Sequence, residues 1–310
     1  MQTPQTRTRL QAIMALPNTV SKVVLWILVA VYTFMLPDAI IIYRDIVDTF
    51  GKDAAGKVPL IVVVVVGAAY TLAVLLSRRD LKNLLFLIPS AIIAVLIMKL
   101  VDNPNKHIHI PEYVVMAWLL FAVLAKDYKG KGLFILIFVY GTMLGVVDEI
   151  EQGINPARFY GLGDMTVNSA SVLIGVFTIM GLIQVTAAGW AWASRLKEHR
   201  IWIVLGVFGF TGIVTACAYL FQVQAEGKFW GVYPSWLLAW NVLYPVSALA
   251  IAIYQGVLHK RRQTAKDAHE EASLLPEERT ARLWILPLLV ILFYMHTLVI
   301  YVAISGVKFV

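Results

Sequence analysis

The chain has 310 residues, 60% of them hydrophobic and only 15% charged, with a mean hydropathy of +0.76. Soluble domains carry about a quarter charged residues, so the composition excludes an ordinary soluble globular protein and points to a polytopic membrane protein. Basic loops account for the net charge of +7, so no nucleic-acid partner is expected, and the single Cys217 excludes an intrachain disulfide or a cysteine-rich metal site.

Residues 1–22 are polar and basic, and no small-residue cleavage site follows them, so the first apolar run is expected to remain as a membrane helix. About 20 apolar residues span the hydrocarbon. On that measure nine spans are predicted, at 21–42, 58–77, 82–101, 111–126, 132–150, 165–193, 201–223, 235–258 and 283–305. The fourth is short. The sixth is long enough to project from the membrane or tilt. Pro37, Pro89, Pro245 and Pro287 fall inside these runs and are expected to kink helices rather than end them. The organisation predicted is an amino-terminal pair of helices over 1–81, a four-helix core over 82–193, and three further helices over 194–310.

Lys and Arg set the orientation. Eighteen lie in the amino-terminal tail and the second, fourth, sixth and eighth connections, against eight on the other side. The positive-inside rule then predicts a cytoplasmic amino terminus and an extracytoplasmic carboxyl terminus. The eighth connection, 259–282, mixes charges of both signs with good helix formers. It reads as a solvated helix or loop, or as a docking site for a partner. Trp230, Tyr233, Trp236, Trp240 and Tyr244 near one end of the eighth span, and Trp190 and Trp192 near the end of the sixth, read as interfacial belts.

Against this apolar background, ionisable and amide residues gather at the ends of three consecutive spans, on the side predicted to be extracytoplasmic. Charge near hydrocarbon is costly, which makes such a cluster a candidate site. His109 and Tyr113 are four apart, Glu149 and Gln152 three, Asp164 and Asn168 four. Each pair therefore shares a helix face. Two of the helix ends are amino termini, which favour an anion, and Arg158 and Lys106 add positive charge beside them. Glu151 points elsewhere and is expected to be solvated, and His296 reads as a buried hydrogen-bonding residue. His109, Glu149 and Asp164 lack the tight His-x-x-x-His or Glu-x-x-His spacing of metal sites, so no metal or cofactor is expected.

The order Lys106-x-x-His109-x-x-Glu112-Tyr113, then Asp148-Glu149-Ile150-x-Gln152-x-x-x-Pro156-x-Arg158, then Asp164-x-x-x-Asn168 resembles the signature of the VanZ-like family. These are bacterial integral membrane proteins whose founding member is associated with teicoplanin resistance. The resemblance covers residues 82–190 and not the five flanking helices. It departs from the family pattern at Ser171, where a glycine is usual, and keeps the second glycine as Gly175.

The fold class expected is thus an all-α transmembrane bundle around a VanZ-like core, in a bacterial inner membrane. Two functional readings stand. In one, the chain recognises, with or without modifying, an anionic lipid-linked group such as a lipid-linked phosphate at the outer leaflet. Glu149, His109 and Asp164 would form the acid–base set, with Arg158, Lys106, Tyr113, Gln152 and Asn168 binding and orienting. The resemblance then implies a cell-envelope or glycopeptide-tolerance role. In the other, the chain is a non-catalytic accessory subunit packed against other membrane subunits, and the cluster is a latch. Asp164 serves equally well as a helix cap in that reading. A transporter ranks third, since no charge is predicted deep in the bilayer.

Overall fold

A computed structural model describes residues 18–76, 80–101, 103–183, 189, 193, 196–265 and 276–310. Its helices are α1 Asn18–Met35, α2 Ala39–Phe50, α3 Val58–Leu76, α4 Leu87–Leu100, α5 His109–Leu124, α6 Gly132–Ile154, α7 Leu162–Leu182, α8 Arg200–Glu226, α9 Ser235–Ala265 and α10 Pro276–Ser305. Among the described residues, nine helical segments are long and apolar enough to cross a membrane, and α2 is not one of them. The chain is an all-α, multi-pass membrane bundle.

Two helices stop well short of their predicted ends. Pro37 ends the first span instead of kinking it: α1 stops at Met35, a 3-10 turn covers Leu36–Asp38, and α2 follows. Proline lacks the N–H that would continue the ladder, and its ring crowds the carbonyl four residues back. The sixth span is also shorter than its apolar run. α7 ends at Leu182, with Ile183 extended at φ −109° and ψ 106°. Hydropathy reports preference for lipid, not backbone conformation, so the run overstates the helix. Pro245 and Pro287 lie inside continuous helices, as expected, while Pro89 sits in the first turn of α4, where its missing N–H costs nothing. Trp190 and Trp192, and residues 266–275 of the charged connection, lie outside the described residues.

α6 is the axis of the bundle, with 72% of its membrane window buried. One side packs Met143, Val147 and Ile150 against Leu220, Leu237, Leu292 and Val299 of α8, α9 and α10. The other packs Leu136, Ile137 and Tyr140 against α1, α5 and α7 through Val29, Leu120 and Val176. A smaller apolar cluster joins α4 to α5 and α7 through Ala94, Ile110 and Ile174. The outer faces of α3, α4 and α9 carry rows of exposed Val, Leu and Ile, which water would not tolerate as continuous patches and lipid does.

Close crossings depend on small residues. A Cβ added at Gly141 would come within 2.7 Å of Val172, and one at Gly145 within 3.0 Å of Asn168. These two glycines, four apart on α6, form the small-xxx-small seam that lets α7 approach. Gly175 of α7 meets α5: a Cβ there would lie 2.5 Å from that of Ala117. Ser171 of α7 is fully buried and donates to the Val167 carbonyl at 2.7 Å.

A second polar group ties α8, α9 and α10 together. His296 is fully buried, with Nδ1 2.7 Å from Asn241 Oδ1 and Nε2 donating to the Gly209 carbonyl at 3.0 Å. Asn241 Nδ2 donates to Tyr233 Oη and the Leu237 carbonyl, both at 2.7 Å. His296 thus has the predicted buried role. The aromatic belt is only half of one: Trp230 and Trp236 are exposed, whereas Tyr233 and Tyr244 are packed inside. Hydrogen bonds inside membrane bundles average about 0.6 kcal/mol, so Asn241→Leu is expected to lower stability by only about 1 kcal/mol in reversible unfolding from bicelles.

Candidate functional site

Three helix ends converge as the spacing predicts. A 3-10 turn, Pro104–Ile108, carries Lys106 and leads into α5, whose first turns hold His109, Glu112 and Tyr113. α6 extends to Ile154, four residues past its predicted end, so Asp148, Glu149 and Gln152 are all helical. Loop 155–161 carries Arg158 and turns the chain into α7, whose first turns hold Asp164 and Asn168. Gly161, with extended backbone, precedes α7.

Glu149 is the hub and is fully buried. Its Oε2 accepts from the Gly161 N–H at 3.1 Å, and its Oε1 from Asn168 Nδ2 at 3.2 Å and more loosely from Gln152 Nε2 at 3.4 Å. The carboxylate therefore caps α7 from a neighbouring helix, satisfying an orphan donor and the positive end of the dipole together. Of the two roles open to Asp164, helix cap or acid–base group, the cap hydrogen bond is therefore made by Glu149 instead. Asp164 sits inside the first turn, and its Oδ2 accepts from Lys106 Nζ at 2.8 Å. Lys106 is thus held by a carboxylate on α7.

Gln152 Oε1 accepts two bonds from Arg158, from Nη2 at 2.7 Å and Nε at 3.3 Å. Among the described residues no carboxylate, Glu149 included, lies within ion-pair distance of Arg158. The guanidinium is half-buried and anchored through a neutral amide, which fixes its position while leaving its charge uncompensated.

His109 pairs within its own helix, with Nδ1 3.0 Å from Glu112 Oε2. Residues three apart on one helix meet without any interhelical geometry. Tyr113 donates to Asp148 Oδ2 at 2.9 Å. Asp148 and Glu112 complete the cluster, although the spacing of the chosen pairs did not single them out. Their signal was present in the sequence, as the carboxylate beside Glu149 and the one three residues after His109. Among the described residues Asp148 Oδ1 and Asn168 Oδ1 are buried acceptors without a hydrogen-bond partner. Glu151, expected to be solvated, is only partly exposed, and Tyr294 of α10 donates to its Oε1 at 2.7 Å.

The loop is pinned from outside. Tyr160 N–H donates to the Val310 carbonyl and Val310 N–H to the Gly153 carbonyl, each at 2.8 Å. Gln224 of α8 donates to the Tyr160 carbonyl at 2.9 Å. Burial holds the Tyr160 phenol well above its ordinary pKa, so it stays protonated and donates to the Cys217 carbonyl. At the opposite end of the bundle, Lys22 and Asp127 pair at 2.7 Å, joining the start of α1 to the loop between α5 and α6.

The arrangement offers one fixed, uncompensated guanidinium at the rim, and behind it a buried set of carboxylates, an imidazole and amides with two unused acceptors. Among the described residues no group of three or more His, Cys, Asp or Glu side chains is placed to hold a metal ion. In comparisons with protein-family models, curated proteins and solved structures, the chain matches none.

Proposed function

We propose that this is a VanZ-like protein of a bacterial plasma membrane, with its amino terminus in the cytoplasm, and that it recognises an anionic lipid-linked group at the outer leaflet. The observation that carries the reading is Arg158. It is anchored by two bonds to Gln152, has no carboxylate partner among the described residues, and stands beside a buried acid–base set. A guanidinium so held offers its remaining N–H donors to a phosphate. Lys106 serves this reading indirectly, by neutralising Asp164 and so reducing the negative charge an incoming anion meets. Glu149 and His109 are the proton carriers, Tyr113 and Asn168 orient them, the free Asp148 oxygen receives a ligand hydroxyl or a proton, and the free Asn168 oxygen accepts a hydrogen bond from a ligand hydroxyl. A cell-envelope or glycopeptide-tolerance phenotype follows from the family resemblance.

The test is retention of a polyprenyl phosphate, against the uncharged polyprenol, by the purified chain in native mass spectrometry. The phosphate form is expected to be retained selectively. Arg158→Ala should weaken it roughly tenfold, the loss of one charge-assisted hydrogen-bonded contact, at unchanged membrane levels. Equal retention of both lipids, or an unaffected Arg158→Ala variant, rejects the reading.

One observation favours the second reading, an accessory subunit with an internal latch. Glu149 already caps Gly161, and Asp164 already pairs with Lys106, so much of the cluster is satisfied without a ligand. Purification in fixed ratio with other membrane subunits, with Arg158 silent, would support it.

A further inference from the structure

On the same end of the bundle as the polar cluster, but on the flank formed by α8 and α10, lies a cavity of about 260 Å³. Val223, Phe229 and Val307 line it, together with Lys228, Trp230 and Lys308. Among the described residues neither lysine has a carboxylate partner. Each follows the carboxyl end of a membrane helix, Lys228 after α8 and Lys308 after α10. There the dipole favours a cation. That preference explains one lysine near each helix end, but it does not require the two to face a common cavity.

We infer that this cavity binds the phosphate headgroup of an anionic glycerophospholipid, with Lys228 and Lys308 as its cationic contacts. Position argues for a lipid: the cavity sits where two spans leave the hydrocarbon, the depth at which headgroup phosphates lie. Trp230, 63% exposed at the rim, has the amphipathic character of an interfacial anchor. On the last turns of α10, Tyr301 and Ile304 are 51% and 80% exposed, so this end of the helix presents a surface to lipid. The volume is below that of a pocket enclosing a drug-sized molecule, and it suits a headgroup whose tails remain outside. The wall of the cavity, Gly306–Phe309, is also the segment that packs on the Arg158 loop: Phe309 is buried against Gly153 and lies 5.1 Å from the Tyr160 ring. A headgroup seated there braces that loop from behind. The site is separate from Arg158 and does not depend on the reading given to it.

The test uses the full chain in mild detergent, titrated with phosphatidylglycerol or with phosphatidylcholine of the same acyl chains, and followed by native mass spectrometry. Phosphatidylglycerol is expected to bind more tightly. A Lys228→Gln/Lys308→Gln double variant should lose about twenty-five-fold of that affinity, at roughly fivefold per lysine near a membrane surface, while eluting as the same monodisperse species. A Lys228→Arg/Lys308→Arg variant should keep the preference. Equal affinity for the two lipids, or no loss in the glutamine variant, overturns the inference. So does full displacement of phosphatidylglycerol by millimolar inorganic phosphate, which would make the cavity a small-anion site rather than a lipid site.

Discussion

Gly175→Val is expected to cost about 3 kcal/mol or more and to leave little monodisperse protein after detergent extraction. The added Cβ alone would lie 2.5 Å from the Ala117 Cβ and 3.2 Å from the backbone of Val114. Backbone cannot rotate aside as a long side chain can, so α7 would have to move away from α5. Overpacking a well-filled interior costs typically 1–3 kcal/mol, and this crossing also sets the height at which Asp164 meets Lys106. Gly67→Val is the matched control, because nothing lies within 4 Å of a Cβ there. Its thermal unfolding midpoint should match that of the unmodified chain. Similar melting of both variants would mean that the α5–α7 crossing is not tight.

The second large effect concerns Glu149. Alanine there removes the acceptor for the part-buried Gly161 N–H and the fully buried Asn168 amide together. Each unsatisfied buried donor costs about 1–3 kcal/mol, so Glu149→Ala is expected to lose about 2–6 kcal/mol and to fray the start of α7. Glu149→Gln keeps the volume, but one end of its amide must present N–H to another donor, and about half the loss should remain. Glu151→Gln is the contrast: Tyr294 still finds an oxygen to donate to, and the change should be near neutral. Hydrogen exchange across Gly161–Asp164 reads the fraying directly. Under the proposed function, selective retention of polyprenyl phosphate should be lost with Glu149→Gln and kept with Glu151→Gln. Full retention by Glu149→Gln would remove Glu149 from the proposed chemistry.

The nine spans were legible because hydropathy over 18 or more residues is a bulk property, insensitive to detail. Boundaries were less so. Pro37 sits in a run apolar enough to continue, and only its missing N–H ends α1. The run beyond Leu182 is equally apolar, yet Ile183 has left the helix. At the site, the in-helix spacings correctly placed His109 with Tyr113, Glu149 with Gln152, and Asp164 with Asn168 at one end of the bundle. Partner choice was not legible. Which carboxylate takes Lys106, and which group caps α7, depend on interhelical distances set by Gly141, Gly145 and Gly175. Those distances follow from residues far from the charges themselves. The Asn241–His296 group was half legible: the histidine announced itself in an apolar helix, but its asparagine partner lies 55 positions away.

Because α6 belongs to both large apolar clusters, neither half of the chain possesses a complete interior of its own. The carboxyl-terminal helices cannot melt without stripping one flank of α6, and the amino-terminal ones cannot melt without stripping the other. Denaturation should therefore proceed as one cooperative event rather than two. Splitting the gene between α7 and α8 should yield fragments that become protease-resistant only when co-expressed.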